Sequence, residues 1–83
     1  MNTNATKNLI QLNDLSIGET CKVNILTADG IIRRRFLDLG LINGTEVKAL
    51  AKSPSGDPVA YLIRGAVIAL RSEDASKIIV EII

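Results

Sequence analysis

Residues 31–47 read IIRRRFLDLGLINGTEV, and the reading of this stretch decides the fold. Ile32, Phe36 and Leu39 fall at i, i+4 and i+7, a spacing that puts three apolar side chains on one face of a helix. Asp29 stands where the first free amides need an acceptor. Gly40 stands where the last turn gives way to a left-handed residue. Leu41 supplies the apolar contact that commonly follows such a glycine. Asn43-Gly44 signals a turn, and a new alternation begins at Thr45. The spacing therefore predicts a helix of about two and a half turns. A helix this short is not stable alone in water, so it must dock, and what receives it defines the fold.

On either side the pattern changes from helical to period two. Thr20–Leu26 places Cys21, Val23 and Ile25 on one face, and Thr45–Ala51 places Val47, Ala49 and Ala51 on one face. The loop SPSGDP over 53–58 separates this strand from Val59, Tyr61 and Ile63. Arg64-Gly65 is a tight hairpin turn, with Gly65 taking the positive backbone angle, and Val67–Arg71 returns with Ile68 and Leu70 inward. SEDASK over 72–77 gives a single helical turn, and Lys77–Ile83 closes the chain with Ile78, Val80 and Ile82 inward. At the start, residues 1–8 are polar and read as a flexible tail, leaving 9–83 as the domain. Leu9–Leu12 is a short extended entry, and the turn over 13–19 buries Leu15 and Ile17. Five short strands with one early helix point to a mainly β, strongly bent small barrel. A flat open sheet would leave two edges and a bare apolar face. The same faces leave Leu50, Leu62, Val67 and Ile79 outward, a strip that marks an interface unless the helix or the N-terminal segment covers it.

Composition removes most chemistry. The 83 residues make one domain, and with 47% apolar residues but only Phe36 and Tyr61 aromatic, the core must be Ile, Leu and Val. Net charge is +1 with the signs interspersed, which gives no electrostatic case for nucleic acid or an anionic membrane. There is no His, so imidazole acid-base catalysis and His metal ligands are out. Cys21 stands alone and supports neither a disulfide framework nor a zinc site. Its alternation makes it a packed, inert thiol. No phosphate-cradling glycine loop is present, since PSGDP lacks both the lysine and the following helix. No apolar run approaches the roughly 20 residues of a membrane span. The reading is a cytoplasmic protein without direct membrane insertion, not an enzyme, with no cofactor and no metal ligands.

RRRFLDLGLINGTEV followed by SPSGDPVAYLIRGAVIALR resembles the FeoA family, the small cytoplasmic accessory of bacterial ferrous iron transport. LNDLSIGETCKV ahead of them and EDASKIIVEI behind extend the likeness over about Leu12 to Ile82. The resemblance implies an SH3-like barrel with one short helix after the first strand and a single helical turn before the last. It also implies a protein-interaction module for the membrane ferrous iron transporter, at that protein's cytoplasmic GTPase portion. The domain type is similar to the C-terminal module of iron-dependent repressors, which raises a transition-metal-binding or metal-responsive domain as the alternative. The arginine run raises a nucleic-acid-binding barrel as a second.

The candidate partner-binding residues are Arg33, Arg34, Leu37, Leu41, Leu62 and Arg64. Arg33, Arg34 and Arg35 lie about 100° apart in a helix, so they cannot share one face. Arg33 or Arg34 beside Leu37 and Leu41 combines cation and apolar surface as interface centres do. Arg64 extends that face from the last hairpin, while Leu62 and Ile79 allow weak self-association.

Overall fold

The computed structural model describes residues 8–83. The flexible tail expected over 1–8 lies outside them except for Asn8, whose carbonyl accepts from the Ile82 N–H at 3.2 Å. Six strands, β1 (Leu9–Gln11), β2 (Thr20–Leu26), β3 (Glu46–Lys52), β4 (Val59–Ile63), β5 (Ala66–Leu70) and β6 (Ile78–Ile82), form one antiparallel sheet in the order β1-β6-β2-β3-β4-β5. A 3₁₀ turn spans Leu12–Asp14. The helix α1 (Gly30–Asp38) follows β2, and α2 (Ser72–Ala75), a single turn, precedes β6. The sheet has one strand more than the five expected. The addition is β1, the extended entry, which pairs with β6 through Leu9↔Glu81, Ile10↔Val80 and Gln11↔Ile79. Three residues are too few to show alternation in a sequence. No helix among the described residues is long and apolar enough to cross a membrane.

The core is one cluster of inward strand residues, closed by Leu12, Leu15, Phe36 of α1, Leu41 and Ala75. Phe36 is fully buried, and Ile32 and Leu39 pack against the buried cluster beside it, so the apolar face read from the sequence is the docked face. Val59, Tyr61 and Ile63 of β4 and Ile78 and Val80 of β6 point into the same cluster. Burying a Phe side chain contributes about 1.5–3 kcal/mol, and a nine-residue helix draws its stability from such tertiary packing.

The end of α1 is closed by the backbone. The Leu41 N–H donates to the Phe36 carbonyl at 3.0 Å and the Gly40 N–H to the Leu37 carbonyl at 2.9 Å, the paired bonds of a Schellman motif with Gly40 at φ +91°. This turn drives Leu41 into the core, where it is fully buried. The start of the helix differs from expectation: Asp29 is the N-cap and extended, but its carboxylate makes no capping bond.

Two strands carry an extra residue. The pairing of β2 with β6 shifts between Val23↔Val80 and Ile25↔Ile79, and that of β3 with β4 shifts between Ala49↔Tyr61 and Ala51↔Ala60. One extra residue turns every later side chain to the opposite face. Hence Leu26 is buried and Ile25 is 55% exposed, against the expected inward Ile25, and Ala51 is likewise exposed. Ile17, also expected inside, is exposed because the Glu19 N–H closes a turn on the Ser16 carbonyl and leaves Ile17 near its tip. Leu15 is buried as expected. On the outer face Ile79 is half-buried, with β1 alongside, whereas Leu62 and Val67 stand directly opposite each other and exposed.

Gly40 and Gly44 share φ +91°, but the Arg64 side chain lies against Gly40, where an added Cβ would run into its Cδ, and nothing comes within 4 Å of one at Gly44. Backbone strain alone costs each site about 1–2 kcal/mol on substitution by Ala. Gly40→Ala is therefore expected to lose more stability in urea denaturation than Gly44→Ala, and Arg64→Ala in the same background should narrow that gap.

Candidate functional site

The bulge in β2 shapes the surface next to α1. The displaced Asn24 has a carbonyl that accepts from Asn43 Nδ2 at 2.7 Å, so the loop after α1 satisfies the group that the bulge frees. The same loop is tied to β2 by the Gly44 N–H to the Val23 carbonyl at 2.7 Å and the Val23 N–H to the Thr45 carbonyl at 2.8 Å. Thr45 Oγ1 donates to the Gly40 carbonyl at 2.8 Å, fixing the loop to the helix end. From the other side Arg33 Nη1 donates to the Leu26 carbonyl at 3.4 Å, a long bond that links α1 to the end of β2.

Between these ties runs an open groove in two connected parts. One, of about 390 Å³, is lined by Gly30, Arg33, Arg34, Leu37 and Asp38. The other, of about 260 Å³, shares Arg33 and Leu37 and continues along Asn24, Ile25, Ile42 and Asn43. Ile25, Leu37 and Ile42 are 55, 41 and 50% exposed, which is large for apolar side chains so close together. Two guanidinium groups, of Arg33 and Arg34, and one carboxylate, Asp38, line the groove with them.

Of the six residues expected at a partner surface, Arg33, Arg34 and Leu37 meet here. Leu41 reaches the groove only from below, because the Schellman turn buries its side chain, and it is corrected from surface contact to core residue. Leu62 lies on the outer face of β4, opposite Val67. Arg64 sits in the β4–β5 turn with φ +50°, its stem against Gly40 at the helix end, so it adjoins α1 without lining the groove. Sequence reasoning missed Ile25, Ile42 and Asn43. The signal for Ile25 was present: Val23, Ile25 and Leu26 cannot all face inward on a regular strand.

The FeoA domain model matches residues 10–82 of the chain. The chain belongs to the FeoA family. This is a family of ferrous iron transport, and its solved members share the present architecture. A FeoA-like protein from Clostridium acetobutylicum superposes with a TM-score of 0.84 at 37% identity, over 94% of this chain and 90% of that one. A FeoA from Stenotrophomonas maltophilia, solved with zinc and described as an SH3 domain protein, gives 0.75 at 30% identity, over 83% and 86%. A curated relative from Porphyromonas gingivalis, a fusion of Fe(2+) transport protein A with the Fe(2+) transporter FeoB, is 34% identical over 74 residues. Those residues are 89% of this FeoA chain and 9% of the fusion, so the chain spans a small part of that relative's length.

Two titratable groups lie in the core of the domain. Burial pushes the Cys21 thiol up to about 11, only partly offset by a hydrogen bond with the Val47 backbone. Burial likewise pushes Tyr61 up to about 12, with Cys21 and Asp57 adding to the rise, while its hydroxyl reaches the Leu12 carbonyl at 3.5 Å. Both are neutral in the fold and ionise more readily once unfolded. Their contribution is full below the unfolded values of 9.0 and 10.0 and is lost as pH climbs through about 11 and 12. Denaturation midpoints should fall steadily above about pH 9, with Cys21→Ala removing the earlier part of the decline.

Proposed function

We propose that this FeoA chain is a non-catalytic module of ferrous iron transport that docks, through the groove between α1 and β2, on the cytoplasmic GTPase portion of the membrane iron transporter. The observation that carries the reading is the Porphyromonas gingivalis relative, in which a domain of this kind and the transporter FeoB are one polypeptide. Fusion holds two modules at high effective concentration, so they meet without a strong surface between them. The groove has the composition of a surface that meets a partner. Arg33 and Arg34 supply planar donors for carboxylates, and Ile25, Leu37 and Ile42 supply apolar area that gains by being covered. The reading puts the chain in the cytoplasm, held at the inner face of the membrane by its partner.

The zinc of the Stenotrophomonas structure is a property of that protein. Among the described residues here, no three Cys, Asp or Glu side chains gather where a metal ion would sit, and Cys21 is buried. The groove, rather than a metal site, supports a function best.

Arg34 is exposed and makes no contact the core depends on, so Arg34→Glu should keep the thermal midpoint while reversing a charge at the groove. Calorimetry with the transporter's GTPase domain, in the presence of nucleotide, is expected to show affinity falling about tenfold or more for Arg34→Glu and for Leu37→Asp. Unchanged affinity in both would move the interface off this groove.

A further inference from the structure

The outer edge of β5 carries a second surface, independent of the groove. Residues 66–70 read AVIAL: no charge, no proline, and no bulge in the five pairs with β4. These are the usual means by which an edge strand avoids pairing with another chain, and all are absent. The two-residue turn at Arg64-Gly65 makes Ile63↔Ala66 a hydrogen-bonded pair, and alternation makes Tyr61↔Ile68 and Val59↔Leu70 the next two. Val67 and Ala69 therefore turn their N–H and C=O groups away from β4. β5 is the last strand of the sheet, and no other described residue bonds to those groups. Val67 is 67% exposed and continues the outer apolar strip from Leu62.

We propose that β5 pairs, antiparallel, with β5 of a second copy of this chain about a two-fold axis at Ile68. In that register the outward groups of Val67 meet those of Ala69 in the copy, and the symmetry repeats the pair, so all four are satisfied. Val67 lies beside the small Ala69 of the copy on the outer face. The paired segment in this register runs from Ala66 to Leu70 and is uncharged throughout, and Arg64 and Arg71 lie beyond its two ends. An axis at Ala69 would instead set Val67 against Arg71, and one at Val67 would set Ala69 against the Gly65 turn. Two edge strands bury less than the roughly 1,200 Å² of standard interfaces, so the dimer is weak and concentration-dependent.

Sedimentation equilibrium over a wide concentration range, with amide hydrogen exchange on the same samples, tests this. The mass should rise from monomer toward dimer, and exchange at Val67 and Ala69 should slow severalfold with concentration. Exchange at Ile68, whose amide β4 already uses, should not change. Ala69→Pro removes an outward donor that the fold does not need and should abolish the rise. Val67→Lys serves the same end should the proline variant fail to fold. A monomer at every concentration overturns the proposal, as does a folded Ala69→Pro that dimerises like the parent. Protection of Val67 and Ala69 that is already complete at high dilution overturns it too, because a segment of the same chain would then cover the edge.

Discussion

The insertion of Phe36 into the core is the contact on which the rest of the structure depends. A nine-residue helix does not hold its shape in water, so α1 exists because Phe36, with Ile32 and Leu39, is buried against the sheet. The constraint works at both ends of the loop that follows. Gly40 reverses the chain and buries Leu41, and Thr45 ties back to the Gly40 carbonyl, so the loop over 41–45 has little freedom in where it meets β2. The position of that loop in turn sets one wall of the groove.

The bulge in β2 sets the other wall. A regular strand would send Ile25 inward and turn Leu26 outward. The extra residue at Asn24 brings Leu26 into the core and releases Ile25 beside Leu37 and Ile42. A bulge leaves a backbone carbonyl unpaired, and Asn43 supplies its donor. Arg33 then performs two tasks that compete for its guanidinium, holding the Leu26 carbonyl and facing the groove. Arg34, one position on, is free of the first task. That difference makes Arg34 the cleaner probe of binding and Arg33 the residue whose loss would confuse docking with stability.

Much of this was legible in the sequence. The docked face of α1, the left-handed Gly40, the Arg64-Gly65 hairpin and the inward faces of β4, β5 and β6 followed from spacing, because regular periodicity maps directly onto a face. The likeness of residues 12–82 to the FeoA family gave the SH3-like class. What escaped were features in which backbone bonds override periodicity. The bulges at Asn24 and Leu50 invert faces without changing composition, so period-two spacing alone places Ile25 and Ala51 inside. Leu41 answers two patterns, and only the Schellman geometry shows that it faces the core. β1 was too short to alternate, and the partner that holds it, β6, lies some seventy residues away in the chain.

The central claim is that docking α1 on a bulged β2 creates the surface that meets the transporter. Chemical-shift mapping of the labelled chain, titrated with the transporter's cytoplasmic GTPase domain, tests it most directly. The account predicts perturbations concentrated at Ile25, Arg33, Arg34, Leu37 and Ile42, with the outer faces of β4 and β5 unaffected at low protein concentration. A contiguous set of shifts elsewhere, or none at saturating domain, would contradict it.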